Sequence, residues 1–334
     1  MSSTTIKEMA NGIFMARLPM PFRMTHVNVF VFIEEDGFTM IDTGPNLPGV
    51  MDAMEEVLAR IGRKVEECRR IFITHFHMDH CGLAALVRER SGAPISLSEI
   101  DAQKIRAFSI DNDRVRRMEA FALENGLDRP TIKEVSDMFL AFEKATVPFI
   151  ADACLSDQDH LFAGGHDLTV ISTPGHSRGH LSFYLPAERV FIAGDHLLQH
   201  ITPNLSPDLI DPAFHPLESY LESLTRIEKL EIETIWPSHG RPFTNPAGRI
   251  ADIRKHHAER SLLAFQALEE GAKTARQVSQ SIFGRDLSAF DRMLAMNESY
   301  VHLISLEKRG LCRRKKNSAG VCLFERSTDG AVHP

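Results

Sequence analysis

The sequence lacks an apolar run that could cross a membrane and has few cysteines. A membrane-spanning helix needs roughly 20 consecutive apolar residues, and the best candidate, Val27 to Ile33, is far shorter. The first residues, Met1 to Asn11, lack the basic start and the apolar stretch of a secretory signal. We therefore expect a protein that neither contacts a membrane nor carries an export signal.

The five cysteines are odd in number, and no two of them form a C-x-x-C pair. This pattern argues against a disulfide framework and against a thiolate zinc site. Reduced thiols are typical of a cytoplasmic protein, and that is the expected location. The sequence also lacks internal repeats and low-complexity segments.

The net charge of −7 is distributed unevenly along the 334 residues. Residues 1–250 contain 24 Lys and Arg against 35 Asp and Glu, which gives −11. Residues 251–334 contain 14 against 10, which gives +4. The break in charge suggests two units with different surfaces, and the acidic first part disfavours polyanionic substrates there.

From Gly12 to about Pro242, short Val-, Ile- and Phe-rich runs alternate with helical patterns, which predicts a layered α/β architecture. The predicted strands are Ile13 to Leu18, Val27 to Glu34, Phe38 to Ile41, Arg70 to Thr74, Ile95 to Leu97, Leu168 to Ser172, Leu181 to Leu185, Val190 to Ala193 and Thr234 to Trp236. The predicted helices of this part are Leu47 to Ile61, Asp79 to Arg90 and Leu217 to Leu230.

Two further regions read as helical. Residues 98–161 form a predicted insertion, rich in Phe and Met, which either packs onto the core or covers the site as a lid with an apolar wall. After Arg249, three predicted helices and two short strands have the outline of a winged-helix unit. We predict domains at 12–248 and 249–334, with the insertion inside the first. The tail helices are Ala251 to Glu270, Ala275 to Ile282 and Ser288 to Arg309.

The strongest local signal is Thr74-His75-Phe76-His77-Met78-Asp79-His80, between a predicted strand and a predicted helix. Imidazole nitrogens and carboxylate oxygens bind divalent ions at about 2.0–2.2 Å. The alternate residues His75 and His77 can reach one ion, and Asp79 and His80 can point to a second. Three single residues, His176, Asp195 and His239, follow predicted strand ends, where further ligands are expected.

Together these motifs resemble the metallo-β-lactamase superfamily. H-x-H-x-D-H occupies 75–80, T-P-G-H 173–176, G-D 194–195 and S-H-G 238–240, with Asp42-Thr43-Gly44 upstream. The resemblance implies an αββα sandwich with two metal ions at one edge. It implies a first ion on His75, His77 and His176, a second ion on Asp79, His80 and His239, and Asp195 bridging them. Asp42 is then expected to orient ligands through hydrogen bonds.

This ligand set predicts hydrolysis. Two divalent ions about 3.5–4 Å apart can share a water, lower its pKa and generate a bridging hydroxide nucleophile. Asp79 lies beside the expected attack path and could also accept a proton. Ligands without a thiolate favour zinc, with iron or manganese as alternatives. Cys81 is expected to pack beneath the helix, and His180 and His196 to support the ligands or the core.

Two functions remain open. The first is hydrolysis of a small-molecule thioester or related ester, as in relatives resembling glyoxalase II. The second is an endoribonuclease that binds RNA through the basic tail, as in the lactamase-beta-like branch. A non-catalytic binding module would require missing ligands, and none is missing. The tail could also form a homodimer. Its cationic residues are Lys308, Arg309, Arg313, Arg314, Lys315 and Lys316.

Overall fold

The computed structural model describes residues 4–110 and 113–327, without the side chains of 108–110 and 142–144. In that part of the chain, no helix is long and apolar enough to cross a membrane. The contacts divide the chain into two compact units. Unit 1 contains Met1–Asp111, Phe142–Pro203 and Thr225–Ala247, and unit 2 contains Asn112–Ala141, Asn204–Leu224 and Gly248–Pro334. The boundaries predicted at 12–248 and 249–334 stay a prediction.

The first sheet of unit 1 follows the chain order within the described residues. Its strands are β1 (Thr5–Ala10), β2 (Ile13–Pro19), β3 (His26–Glu34), β4 (Gly37–Ile41), β5 (Cys68–Phe72), β6 (Ile95–Ser98) and β7 (Ala153–Leu155). Strands β1 to β4 pair antiparallel, whereas β4 to β7 pair parallel. The sequence patterns missed β1 and β7, because neither alternates apolar and polar residues over enough positions.

The second sheet of unit 1 has the order β13-β12-β11-β10-β9-β8. Its strands are β8 (His160–Ala163), β9 (His166–Ser172), β10 (Leu181–Leu185), β11 (Val190–Gly194), β12 (Thr234–Pro237) and β13 (Phe243–Thr244). Strand β10 pairs antiparallel with both of its neighbours, and β11 and β12 run parallel. Strands β9, β11 and β12 therefore all point the same way.

The two sheets bury their facing sides against each other. Phe30 of the first sheet stacks on Trp236 of the second at 5.8 Å, and Phe72 stacks on Phe183 at 6.1 Å between ring centroids. These rings are 4% exposed or less, and burying each one stabilises the fold by about 1.5–3 kcal/mol. The predicted layered α/β sandwich is confirmed.

Helices cover the other face of the first sheet. Helix α1 (Val50–Arg60) buries Met54 and Val57 against strand residues such as Val29 and Met40. Unit 1 also contains a 3-10 turn at Val65–Glu67 and the helices α2 (Met78–Cys81), α3 (Ala84–Ser91) and α4 (Glu99–Ile110).

The predicted single helix Asp79 to Arg90 is wrong, because the structure divides it into α2 and α3. The backbone carbonyl of His80 accepts hydrogen bonds from the N–H and the hydroxyl of Thr43, and the Leu83 N–H donates to the Gly44 carbonyl. These bonds replace the local helical ones at the break. At Gly82 a Cβ would lie 2.6 Å from the carbonyl of Ala145, so only glycine fits there.

Unit 2 combines helices from three separate parts of the chain. These are α5 (Arg114–Glu124), α6 (Arg129–Lys144), α7 (Pro216–Ile227), α8 (Pro246–Ala267), α9 (Ala275–Phe283) and α10 (Ala289–Lys308), whose ends partly extend into unit 1. The hairpin of β14 (Cys312–Lys316) and β15 (Cys322–Arg326) completes this unit. Its core includes Met118, Val278, Leu303 and Phe324. The three helices and hairpin predicted for the tail are present, and their winged-helix identity stays a prediction.

Candidate metal centre

The shared direction of several strands brings the predicted site residues together at one edge of unit 1. Parallel strands end at the same edge of a sheet, so residues that follow them converge. Asp42 follows β4, His75 follows β5, His176 follows β9, Asp195 follows β11 and His239 follows β12.

The first cluster at this edge, here called the three-imidazole group, consists of His75, His77 and His176. The Nε2 atom of His75 lies 2.9 Å from Nδ1 of His77, and Nε2 of His176 lies 3.0 Å from that same atom. Candidate ligand atoms of the three residues all lie within 4.8 Å of one another. His75 is fully buried, whereas His77 and His176 reach the surface, so this cluster opens to solvent on one side.

The second cluster, here called the carboxylate group, consists of Asp79, His80 and His239. Asp79 Oδ2 lies 3.6 Å from His80 Nε2 and 3.2 Å from His239 Nε2. His80 is fully buried, and the Asp79 side chain is 14% exposed. The open side of this cluster is therefore at Asp79.

Asp195 lies between the two groups and directs one oxygen towards each. Its Oδ1 atom is 3.6 Å from His80 Nε2 and 3.3 Å from His239 Nε2, while its Oδ2 atom is 3.4 Å from His176 Nε2. A carboxylate divided in this way can contact cations on both sides. All seven predicted ligand residues thus meet at one place.

The hydrogen bonds at this edge indicate whether the residues of the carboxylate group and Asp195 can bind a cation. His80 Nδ1 lies 2.8 Å from Asp42 Oδ2, and His239 Nδ1 lies 3.0 Å from the His26 carbonyl oxygen. Both acceptors require a proton on Nδ1, so Nε2 is the atom of each ring that can bind a cation once its own proton is displaced. These two Nε2 atoms and Asp195 Oδ1 are buried without a well-formed hydrogen bond within the described residues. Three buried polar atoms that converge without hydrogen-bond partners in the described part of the chain fit a divalent cation.

The two groups differ in electrostatics. Burial lowers the pKa of His77 to about 3, with a further contribution from His176, and it lowers the pKa of His75 well below its usual range. His75 and His77 are therefore neutral near pH 7, the state in which imidazole binds a metal.

In the carboxylate group the balance is reversed. Burial alone would lower the pKa of His239, but the carboxylates of Asp195 and Asp79 raise it to about 10. The same carboxylates outweigh burial at His80 and raise its pKa well above the usual value. Without a metal this group holds positive charge as protons, and a divalent ion would displace them.

Asp42 stabilises the carboxylate group through hydrogen bonds. Its Oδ1 accepts a hydrogen bond from the Thr74 N–H at 2.8 Å, and its Oδ2 accepts one from the Thr74 hydroxyl at 2.9 Å as well as one from His80. Asp42 has a positive φ of 62° although it is not glycine, a conformation that costs free energy and that these bonds offset. It lies next to the ligands, where the sequence predicted it.

Three residues support the predicted ligands, and the sequence patterns anticipated this role only for His180. Asn28 at the start of β3 donates to the carbonyls of Pro237 and Gly240, at 2.8 and 3.1 Å, and so holds the turn that carries His239. His180 Nε2 accepts a hydrogen bond from the Asp195 N–H at 3.1 Å, so it supports a ligand as expected. Asp101, directly after β6, contacts two ligand loops. Its signal was the same as for the ligands, an acidic residue just beyond a strand.

Cys81 and His196 are buried, as the sequence suggested. The Cys81 thiol donates to the Phe76 carbonyl at 3.1 Å, and burial raises the pKa of that thiol well above its usual value. Burial likewise lowers the pKa of His196 to about 3. A buried thiol with a raised pKa is a poor nucleophile, so the chemistry of this edge rests on the ligand set.

Comparison with known proteins agrees with this geometry. The family model of the metallo-beta-lactamase superfamily matches residues 23–239. A second model, described as the metallo-beta-lactamase-like C-terminal domain, matches residues 263–327. The chain is 25% identical over 305 residues to the probable metallo-hydrolase YqjP of Bacillus subtilis, covering 87% of this chain and 91% of that protein.

Solved structures give the same result. A beta-lactamase domain protein from Burkholderia ambifaria has a TM-score of 0.84 and 27% identity, and the match covers 96% of this chain and 94% of that one. A metallo-beta-lactamase family protein from Thermus thermophilus has a TM-score of 0.82 and 26% identity, with 94% and 98% covered.

Two relatives that match over shorter stretches have names that specify a reaction. The chain is 31% identical over 133 residues to an atrochrysone carboxyl ACP thioesterase of Aspergillus fumigatus, covering 36% of this chain and 39% of that protein. It is 23% identical over 175 residues to a hydroxyacylglutathione hydrolase of Bartonella quintana, covering 52% and 49%. From the family models, the near-complete relatives and the edge geometry we conclude that this chain is a hydrolase of the metallo-beta-lactamase superfamily.

Proposed function

We propose that the protein is a dinuclear metal hydrolase that cleaves a thioester or related ester of a small molecule. The observation that carries this proposal is the division of the Asp195 carboxylate between two groups of ligand atoms. The proposed ions are zinc, with iron and manganese as alternatives. The three-imidazole group would hold one ion, the carboxylate group the other, and Asp195 would contact both.

A pair of such ions supplies an activated water and stabilises negative charge that develops on the substrate oxygen. The side chains of the protein determine how that chemistry is presented. Asp42 fixes the ring of His80, and the His26 carbonyl fixes the ring of His239. The more exposed Asp79 carboxylate lies on the open side and can accept a proton there. Substrate is expected to approach past His77, Asp79 and His176, the predicted ligands that reach the surface.

The thioester preference is supported by relatives that are named for thioester hydrolysis, at 22% to 31% identity. The acidic charge of residues 1–250 also favours a small substrate over a polyanion.

The alternative, an endoribonuclease, is less well supported by the tail. On strand β14, Arg313 and Lys315 both pair with Glu325, and Arg314 pairs with Glu307. These acidic partners reduce the positive field that an RNA backbone requires.

The experiment is a comparison of substrates on the zinc-loaded protein. An S-acyl glutathione, an acyl-CoA, a simple ester and single-stranded RNA are offered at matched concentrations, with His239→Ala as the control variant. We expect turnover of at least one thioester, and its loss in the control. Cleavage of RNA with salt-dependent binding and no thioester turnover would contradict the proposal and favour the nuclease.

A further inference from the structure

Asp101 is a fully buried carboxylate in the first turn of α4, outside every motif that identified the ligands. Burial raises its pKa to about 6, although Lys104 and nearby hydrogen bonds lower it. Burying a carboxylate is costly unless specific partners compensate. Its partners therefore indicate why an acidic residue stands there.

Asp101 joins the two loops that carry the three-imidazole group. Its Oδ2 atom accepts a hydrogen bond from the N–H of Phe76, the residue between His75 and His77, at 3.1 Å. The same oxygen accepts a hydrogen bond from the hydroxyl of Ser177, the residue after His176, also at 3.1 Å. One oxygen thus sets the spacing of loops that are about 100 positions apart in the sequence.

The approach of the second loop is close enough to require glycine. A Cβ on Gly179 would lie 2.4 Å from Asp101 Oδ1 and 2.4 Å from the Ser98 hydroxyl. At such distances either the Asp101 and Ser98 side chains or the loop itself would have to move. The loop after β9 is therefore fitted to this carboxylate as well as bonded to it.

A role in capping helix α4 does not account for the position of the Asp101 side chain. Ser98 caps α4, because its hydroxyl accepts a hydrogen bond from the Asp101 N–H at 3.2 Å. In a capping box, the acidic side chain three residues later would return to the backbone of the cap residue. The Asp101 carboxylate instead faces Phe76 and Ser177. Helix capping uses the backbone of Asp101, and the side chain serves the ligand loops.

We propose that Asp101 is a positioning residue that fixes the three-imidazole group and leaves the carboxylate group to Asp42 and Asn28. This rests on the proposed dinuclear site. Asp101 would act on metal affinity through the two loops, without touching an ion. Removal of such an outer partner typically lowers metal affinity by roughly 10–100-fold.

The test measures zinc binding to the full-length protein in a series of zinc–chelator buffers, with zinc per chain read by mass spectrometry. The variants are Asp101→Ala and Asp101→Asn. In Asp101→Asn the amide oxygen can still accept hydrogen bonds from Phe76 and Ser177. The matched control is Asp128→Ala, since Asp128 also accepts one backbone N–H and one hydroxyl, both from Thr131, but lies in unit 2. Melting temperatures of the metal-free proteins report folding.

We expect wild type to bind two ions, Asp101→Ala to lose roughly 10–100-fold affinity for one of them, and Asp101→Asn to lose less. Asp128→Ala should bind zinc like wild type. In a His176→Ala background, Asp101→Ala should add little, whereas in a His239→Ala background its effect should persist, because coupled residues are not additive.

Unchanged zinc affinity in Asp101→Ala, or an equal loss in both backgrounds, would overturn the inference. If Asp101→Ala does not fold, the same comparison is made with Asp101→Asn, and an unchanged affinity there overturns it equally. If wild type itself binds no zinc, iron or manganese, the proposed function fails, and that outcome is distinct from a failure confined to Asp101.

Discussion

The three-imidazole group and the carboxylate group lie side by side, yet opposite forces act on their histidines. In the first, burial and neighbouring imidazoles lower the pKa of His75 and His77. In the second, Asp79 and Asp195 outweigh burial and raise the pKa of His80 and His239. His75 and His77 are therefore neutral near pH 7, whereas His80 and His239 hold an additional proton when no metal is bound.

The supports of the two groups also differ, although Asp42 additionally accepts from the Thr74 hydroxyl, which lies 3.0 Å from His75 Nδ1. Asp42 and Asn28 hold the carboxylate group, through His80 and through the turn before and after His239. Asp101 holds the loops of the three-imidazole group. Asp195 is the residue that both groups share. Its removal should therefore weaken cation binding in both groups and not in one alone.

The largest effect is expected for Asp195→Ala. Both groups lose a carboxylate oxygen, so zinc affinity should fall at both sites by more than the roughly 10–100-fold typical of an outer partner. Zinc per chain in chelator buffers measures this loss. Retention of two ions at wild-type affinity would show that Asp195 does not bridge the groups.

A smaller and one-sided effect is expected for Asn28→Ala. The variant leaves the carbonyls of Pro237 and Gly240 without these donors, so the turn that carries His239 loosens. One ion should bind roughly 10–100-fold more weakly, while the other binds as in wild type. The same zinc titration provides the measurement, and combination with His176→Ala identifies which ion is affected. The loss of affinity caused by Asn28→Ala should add to the loss caused by His176→Ala. A combined loss that is not additive would contradict the assignment of Asn28 to the carboxylate group.

A third histidine cluster, in unit 2, provides a comparison away from the metal edge. His257 Nδ1 lies 3.4 Å from His302 Nε2, and the Ser261 hydroxyl lies 2.9 Å from His302 Nδ1. Burial lowers the pKa of His257 to about 4 and that of His302 to about 3. Other titratable groups that influence this pair are His256, Arg260 and Glu298.

Substitution of this histidine pair should have the smallest effect on metal binding. The pair should instead make stability depend on pH. Below the unfolded pKa of about 6.5, the unfolded chain binds protons that the folded pair excludes. The free energy of unfolding should therefore fall from pH 6.5 towards pH 4, by up to about 1.4 kcal/mol per pH unit for each histidine. Hydrogen exchange of α8 and α10 at several pH values, in zinc-loaded protein, measures this slope.

The control is the double variant His257→Gln with His302→Gln. Its stability should depend less on pH over that interval, and its zinc content should equal that of wild type. An identical slope in the variant and in wild type would show that the pair does not titrate as described.

The sequence predicted most of the elements that position the site. Strands such as β3, β10 and β11 have runs of apolar residues, and the loop from His75 to His80 is local enough to identify directly. The helix after this loop was predicted in one piece, because its break depends on hydrogen bonds with Thr43, which donates to His80, and Gly44, which accepts from Leu83, and both residues are distant in sequence.

Asp101 and Asn28 illustrate what sequence patterns leave open. Asp101 follows Ser98 at capping-box spacing, and that spacing predicts a helix start equally well. Asn28 lies inside an apolar strand, where a polar residue has no periodic signal of its own. Their roles follow from which loops fold over them.

The sequence by itself determined which side chains this edge can offer to a cation, because the seven predicted ligand residues stand in short motifs. The tertiary structure alone decided how those residues divide into two groups, since β9, β11 and β12 bring distant positions to the edge where β4 and β5 end. It also decided their protonation, because burial and the nearness of Asp79 and Asp195 depend on that convergence.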